Sequence, residues 1–299
     1  MTRLQNGKRL TAICVIAAGL ALACLRPALA ADVPLPQQFT EVTPASEWSF
    51  RITPYGWFPS MKGTQTVKGR SANVDATFID ILQKSDTLVG LMADFEARNG
   101  RFSLFSNAVW TKVGLDAGTT RTRSPAPGIA GTVGASLGIN YQMAIVELGA
   151  TYEVARSGAL AVDVLAGGRY WYQKADLSLD LAGTIDQGGL VVSGTKAISR
   201  SGAIDWLDPL VGMRLRYAAA PGHDLFLRGD IGGFGAASKF SWQAIGGYSF
   251  DFAVRNSVTW SGIIGYRALY VDYARGSGQT LYQFDVLQHG PVVGLSARF

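Results

Sequence analysis

The sequence predicts an all-β fold: a closed antiparallel transmembrane β-barrel of about ten strands, with eight or twelve strands as alternatives. Three observations predict it. They are long runs of alternating apolar and polar residues, aromatic residues near the ends of the apolar faces, and a last run that stops on Phe299 in mid-pattern. A soluble β-sandwich also alternates, but its strands typically hold only about 5–6 residues. Strands cross lipid only as a closed barrel, because each backbone N–H and C=O needs a partner.

Ten of the alternating runs are long enough for a tilted crossing of a bilayer, which takes about 9–11 residues. In the second run, Ala93 and Phe95 point to one face and Asp94 and Glu96 to the other. The predicted spanning strands are 48–58, 87–98, 101–113, 143–155, 159–174, 207–218, 224–236, 240–253, 257–272 and 285–299.

The connections between these strands alternate between short turns and longer segments, of which 59–86, 114–142 and 175–206 are the longest. Short turns of bacterial barrels face the periplasm and long loops face outwards, so both chain termini are expected in the periplasm. FIDILQKS, residues 78–85, predicts a short helix in the first outer loop. A twelve-strand barrel would result if residues 63–78 formed another hairpin.

The first thirty residues have the features of a secretory signal peptide: a basic start, an apolar stretch over 11–25, and small residues at Ala28 and Ala30. We therefore expect 1–30 to be cleaved, 31–47 to form a periplasmic segment and 48–299 to form the barrel. The two cysteines of the chain, Cys14 and Cys24, lie in the cleaved part. Lipidation of Cys24 stays open, although Leu22 stands where lipoproteins carry a small residue.

The net charge argues against a nucleic-acid binder. Four of the 27 Lys and Arg residues, and none of the 22 Asp and Glu residues, lie in residues 1–30, so the remainder carries 23 − 22 = +1. A nucleic-acid-binding protein would carry a basic stripe. The signal peptide and the alternating strands are typical instead of a protein of the Gram-negative cell envelope, located in the outer membrane.

The alternation that turns apolar residues outwards turns charged residues into the lumen. Barrels of this size are filled by side chains, and buried charges persist only when they are paired. We therefore predict a lumen plugged by a salt-bridge network, with a porin-like charged constriction for small solutes as the alternative. The predicted network comprises Arg51, Asp94, Glu96, Arg98, Glu147, Asp163, Arg169, Asp208, Arg214, Arg216, Arg228, Asp230, Asp251, Arg267 and Arg298, and Glu153 shares their face.

Motifs for catalysis, metal binding or cofactor binding are weak. His223 and His289 are far apart in sequence and no cysteine accompanies them, which disfavours a zinc site. We expect no cofactor, no metal and no enzymatic activity. The alternative is an outer-membrane enzyme that acts on lipid or peptide at the outer rim, for which Asp75, Asp80, Asp205 and Asp208 are the candidates.

Four segments together resemble a proteobacterial family of outer-membrane barrel proteins without an assigned activity: DWLDPLVGMRLRY (205–217), RGDIGGFGAASKFSWQ (228–243), GYRALYVDY (265–273) and HGPVVGLSARF (289–299). The resemblance implies location in the outer membrane and a barrel architecture. We expect a structural or surface role, or a minor role in small-solute permeation. The terminal Phe299 is similar to the signal that the outer-membrane assembly machinery reads. The expected partners are the lipid bilayer, this machinery and periplasmic chaperones, with the protein itself a monomer that binds no nucleic acid.

Overall fold

The structure, a computed structural model, describes residues 47–126, 129–187 and 190–299, and nearly all of them lie in β-strands. The predicted signal peptide lies outside the described residues. The elements are β1 (Trp48–Trp57), β2 (Ser60–Val67), β3 (Arg70–Ala76), α1 (Phe78–Lys84), β4 (Thr87–Asn99), β5 (Phe102–Ala126), β6 (Ile129–Ser157), β7 (Leu160–Gln187), β8 (Leu190–Ala220), β9 (His223–Gly232), β10 (Phe240–Arg255), β11 (Val258–Arg275), a 3-10 turn (Gly278–Thr280) and β12 (Tyr282–Arg298).

Ten of the strands form a closed antiparallel barrel. β1 pairs with β4, the strands from β4 to β12 each pair with the next, and β12 returns to β1. In the closing pair Arg51 lies opposite Arg298 and Trp57 opposite Val292. Closure leaves no free edge around the ring, which is the condition for crossing lipid. The predicted fold class and strand number are confirmed.

The hairpin that would have made a twelve-strand barrel forms, but it adds no strand to the ring. β2 continues the line of β1 beyond Phe58 and pairs with the upper part of β12, where Ser60 lies opposite His289. β3 pairs with β2 on its other side. Gly290 is required here, because an added Cβ would lie 2.0 Å from the carbonyl oxygen of Phe58.

The two rims of the barrel differ. One rim, here called the turn end, carries the start of β1, the end of β12 and the tight turns after β4, β6, β8 and β10. Gly100 in the first of these turns has a φ of 57°, a left-handed conformation that glycine adopts without strain. The opposite rim is called the extended end. By the rule for turns and loops, the turn end is expected to face the periplasm.

The segments 114–142 and 175–206 were expected to be loops, and this prediction is wrong. β5, β6, β7 and β8 run through them with 25, 29, 28 and 31 residues. β4 pairs with β5 only as far as Gly114, and β9 pairs with β8 only from Leu210 onwards. The described parts of residues 115–139 and 176–201 therefore form a four-stranded extension, here called the outer projection. Its backbone groups are satisfied by antiparallel pairing, so the strands do not need lipid to continue.

The other connections of the extended end differ less from expectation. The predicted helix is confirmed as α1, which begins with a capping box between Thr77 and Asp80. Hydrogen bonds from Thr77 hold the pKa of the exposed Asp80 carboxyl below its usual value. β9 ends at Gly232 and not at 236, because Gly233, Phe234 and Gly235 all have positive φ and turn the chain.

No helix in the described part of the chain is long and apolar enough to cross a membrane.

Candidate functional site in the barrel lumen

The outer surface of the barrel is apolar. Leu91, Leu148 and Leu207 project outwards with 69%, 59% and 61% of their surface exposed. Such a belt is stable only against lipid. The chain is an outer-membrane β-barrel protein.

Aromatic side chains border this belt at both ends. At the turn end the Phe50 ring lies 6.3 Å from Phe95 and 5.9 Å from Phe299. Towards the extended end Trp242 stacks on Tyr270 at 6.4 Å. Trp242 and the turn-end Phe250 are eight residues apart on β10, about 26 Å along the strand. Because barrel strands are tilted by about 35–45°, this is about 20 Å of height, most of a lipid-facing band of about 25 Å.

Inside the barrel, at mid-height, Glu147 is the centre of a first group of ion pairs, here called the central cluster. Arg169 Nε donates to Glu147 Oε1 at 2.9 Å, Arg228 Nη2 to Oε2 at 2.8 Å and Arg267 Nη2 to Oε1 at 3.0 Å. Arg169 also donates from Nη2 to Asp230 Oδ1 at 2.6 Å. Glu147, Arg169 and Asp230 are almost fully buried, so this cluster is shielded from solvent.

Neutral side chains complete the central cluster. Arg267 donates from Nε to Gln243 Oε1 at 2.7 Å and from Nη1 to the Tyr55 hydroxyl at 3.1 Å and to Asn107 Oδ1 at 3.2 Å. Gln243 donates in turn to Asp230 at 3.0 Å. These neutral partners were not predicted from the sequence, although they lie on the same face of their strands as the charges.

A second group, the turn-end cluster, lies nearer the turn end and contains more arginines than carboxylates. Arg214 donates to both oxygens of Glu96 at 2.9 Å and to Asp163 at 2.8 Å. Arg216 donates to Asp163 at 2.9 Å and to Glu153 at 2.8 Å. The other arginines of the cluster are Arg51, which pairs with Glu96, Arg156, which pairs with Glu153, and Arg98, which contacts all three carboxylates at 3.5–3.6 Å.

The structure thus brings eleven of the fifteen predicted network residues into these two clusters. The remaining four lie elsewhere. Arg298 and Asp251 form a separate pair at 3.5 Å on the turn-end rim. Among the described residues, Asp94 accepts one hydrogen bond, a long one of 3.5 Å from Asn107. Asp208 accepts hydrogen bonds from neutral groups, described next.

Asp208 fastens the connection between β9 and β10 inside the extended end. It accepts hydrogen bonds from the backbone N–H of Ser238 at 2.8 Å, the Ser238 hydroxyl at 2.6 Å and the Trp206 indole at 3.2 Å. Asp208 and Ser238 are both fully buried. The segments DWLDP and GGFGAAS, which are distant in sequence, therefore meet at this contact.

Above the central cluster the lumen is filled by buried aromatic rings, here called the aromatic layer: Trp57, Trp171, Trp206, Tyr273 and Phe284. Trp206 stacks on Tyr273 at 4.0 Å and on Trp171 at 5.4 Å. Each of the five rings is at most 5% exposed. The sequence analysis missed this layer, although Trp171 continues the inward alternation of Asp163 and Arg169 on β7.

Below the central cluster the lumen widens into a cavity of about 440 Å³. Its lining includes the exposed rim residues Arg156 and Arg298, so it reaches the turn end. The charged residues that line it are Arg51, Arg98, Arg156, Arg214, Arg216, Arg228, Arg267, Arg298, Asp94, Glu96, Glu147, Asp224 and Asp251. We call this space the turn-end cavity. It is a candidate binding site formed by described residues.

Both histidines and two of the four candidate aspartates, Asp80 and Asp208, are engaged in other contacts. His223 contacts the Tyr248 hydroxyl at 2.5 Å, and His289 contacts the Tyr266 hydroxyl at 2.6 Å on the outer surface. Asp80 caps α1, while Asp205 and Asp208 lie on opposite faces of β8. The described residues contain no group of three or more His, Cys, Asp or Glu side chains that could hold a metal ion.

The sequence matches no protein-family model and no curated protein. Among solved structures it is similar to the outer membrane protease OmpT from Escherichia coli (10% identity, TM-score 0.40, covering 85% of this chain and 97% of that one). It is also similar to the translocator domain of the autotransporter NalP from Neisseria meningitidis (15%, 0.34, 87% and 91%) and to Ail, the attachment invasion locus protein of Yersinia pestis (12%, 0.30, 85% and 99%). At such low identity and TM-score these likenesses carry no information about activity.

Proposed function

We propose that this barrel acts at the faces of the outer membrane and does not conduct solutes through an open pore. The observation that carries the proposal is the double filling of the lumen, by the central cluster and by the aromatic layer. A solute that crossed would have to separate buried ion pairs and then displace stacked rings, both at a high cost in free energy.

The outer projection supports a role at the surface. Spanning requires about 9–11 residues, yet β5 to β8 have 25 to 31. The additional length extends from the extended end, which is expected to face the cell exterior. A barrel without a role outside the membrane would not need this extension.

Planar-bilayer recording tests the closed lumen. Protein refolded in detergent is first checked on a gel with and without boiling, since a folded barrel changes mobility when it is heated. After insertion, we expect no large steady conductance steps. Regular steps that scale with the number of inserted barrels would overturn the proposal and favour a small-solute channel.

We further propose that the protein is not an enzyme. Asp80 and Asp208 are engaged in structural hydrogen bonds, which leaves Asp75 and Asp205 as the outer-rim carboxylates to examine. The test compares hydrolysis of phospholipid vesicles and of a peptide mixture by the intact protein with that by Asp75→Ala and Asp205→Ala. We expect no turnover by any of them. Turnover that either substitution removes would support the enzyme alternative.

A further inference from the structure

We propose that the turn-end cavity binds a small organic anion, whose carboxylate or phosphate contacts Arg51 and Arg98 and whose apolar part lies against the apolar side chains of the lining. This site is independent of whether the lumen conducts. It would be occupied from the turn end, and therefore from the periplasm in the expected orientation.

The charge of the turn-end cluster supports an anionic ligand. Five arginines surround the three carboxylates Glu96, Glu153 and Asp163. Further carboxylates line the same cavity: Asp251 pairs with Arg298, Glu147 belongs to the central cluster, and Asp94 and Asp224 lie at its wall. The turn-end cluster itself therefore carries two more positive than negative charges, which an anion bound in the cavity would compensate.

Two of the arginines that line the cavity have N–H donors without a short hydrogen bond. Arg51 Nε is buried and has no hydrogen-bond partner in the described part of the chain. Arg98 makes only contacts of 3.5–3.6 Å, long for charge-assisted hydrogen bonds, which are typically about 2.7–2.9 Å. Both contact the same Glu96 carboxylate, so their guanidinium groups are close neighbours. Arginine pairs of this kind match the planar geometry of a carboxylate or the oxygens of a phosphate.

The rest of the cavity favours an organic anion over a simple inorganic one. Phe105, Leu165, Ile245, Ile263 and Val292 contribute to the lining. The Arg228 guanidinium lies over the Phe105 ring, 4.7 Å from its centre, so a charged group and an apolar group are adjacent in this lining. A volume of about 440 Å³ lies in the range typical of pockets for small organic ligands.

Isothermal titration calorimetry on refolded, heat-modifiable protein at low salt tests the proposal with four probes: phenyl phosphate, benzoate, inorganic phosphate and benzamide. Benzamide has the shape of benzoate without its charge. We expect saturable binding of phenyl phosphate and benzoate, weaker binding of inorganic phosphate and none of benzamide. Equal binding of benzoate and benzamide, or no saturable binding of either organic anion, would overturn the proposal.

Variants then locate the site. Arg51→Gln and Arg98→Gln are each expected to weaken phenyl phosphate binding roughly tenfold, the order of one charge-assisted hydrogen bond. Arg98→Lys is expected to retain part of the affinity. Arg255→Gln, an exposed arginine at the same rim that does not line the cavity, is the matched control and should bind like the parent protein. Unchanged affinity in both cavity variants would place the binding elsewhere and refute the site.

A variant outside the charge cluster covers the case in which the arginine variants fail to fold. Ile263→Phe enlarges a side chain of the apolar lining without touching an ion pair. It is expected to weaken phenyl phosphate binding more than inorganic phosphate binding, because only the organic probe uses the apolar wall. Equal losses for both probes would contradict the assigned binding mode.

Discussion

At the scale of single residues, the stability of the lumen depends most on Glu147. It is fully buried and forms ion pairs with Arg169, Arg228 and Arg267 at once. Removing one partner from a buried ion pair leaves the others without compensation and typically costs about 3–5 kcal/mol. We therefore expect Glu147→Gln to lower the free energy of unfolding by about 3 kcal/mol or more, measured by urea titration in lipid vesicles.

The matched control is Asp251→Asn. It alters the Asp251–Arg298 pair, whose arginine is half exposed at the turn-end rim. Exposed ion pairs contribute about 0–1 kcal/mol, so the control should lose little. A Glu147→Gln protein as stable as the Asp251→Asn protein would show that the central cluster is not an important source of stability.

The last residue allows a second prediction at this scale. Phe299 exchanges backbone hydrogen bonds with Phe50, at 2.7 and 2.9 Å, and packs on its ring. Deleting Phe299 is expected to reduce the yield in the outer membrane more than it reduces the unfolding free energy of refolded protein, because the assembly machinery is expected to read this residue. Phe252→Ala is the control, since both side chains are 56% exposed. Equal yields for the two variants would contradict an assembly role.

Which residues face the lumen was predictable from alternation alone, because the side-chain period of a strand is two. Which of these residues form ion pairs with each other was not predictable. Arg228 contacts Glu147 across 81 residues of sequence, and Arg214 contacts Glu96 across 118. These contacts depend on the stagger of strands around the closed ring, which a single sequence does not specify. The same limit hid the structural use of Asp208.

At the scale of elements, the ring and its turns were predictable and the strand lengths were not. Turns such as Asn99-Gly100 have a clear local signal. Beyond the lipid the apolar belt ends, and for this reason the sequence predicted loops where β5 to β8 continue. Leu177 and Leu179 nevertheless still alternate with Asp176, Ser178 and Asp180, and this weaker pattern marks the continuing strands.

The outer projection should therefore be separable from the barrel. Replacing residues 177–200 by an Asn-Gly turn would join Asp176 to Ser201, which lie opposite each other in the register. Both ion-pair clusters and the aromatic layer lie outside the deleted segment, so we expect the shortened protein to fold and to keep its heat-modifiable mobility. Loss of folding would mean that the projection contributes to assembly of the barrel.

At the scale of the whole molecule, the barrel has an accessible cavity at one end, a barrier at its centre and a projection at the other end. The mature chain is expected to contain no cysteine, since Cys14 and Cys24 lie in the predicted signal peptide. Single cysteines can therefore report access from either side of the membrane. Ser249 lines the turn-end cavity, Ser199 is exposed on the outer projection and Ser103 is fully buried.

A membrane-impermeant maleimide added to intact cells is expected to label Ser199→Cys, to leave Ser249→Cys unlabelled and to leave the buried control Ser103→Cys unlabelled. Permeabilising the outer membrane should make Ser249→Cys reactive, because the reagent then enters the cavity from the periplasm. If Ser249→Cys were labelled in intact cells as fast as in permeabilised cells, the lumen would admit the reagent or the barrel would be inserted the other way round. Ser199→Cys separates these two outcomes, because only an inverted barrel would protect it in intact cells.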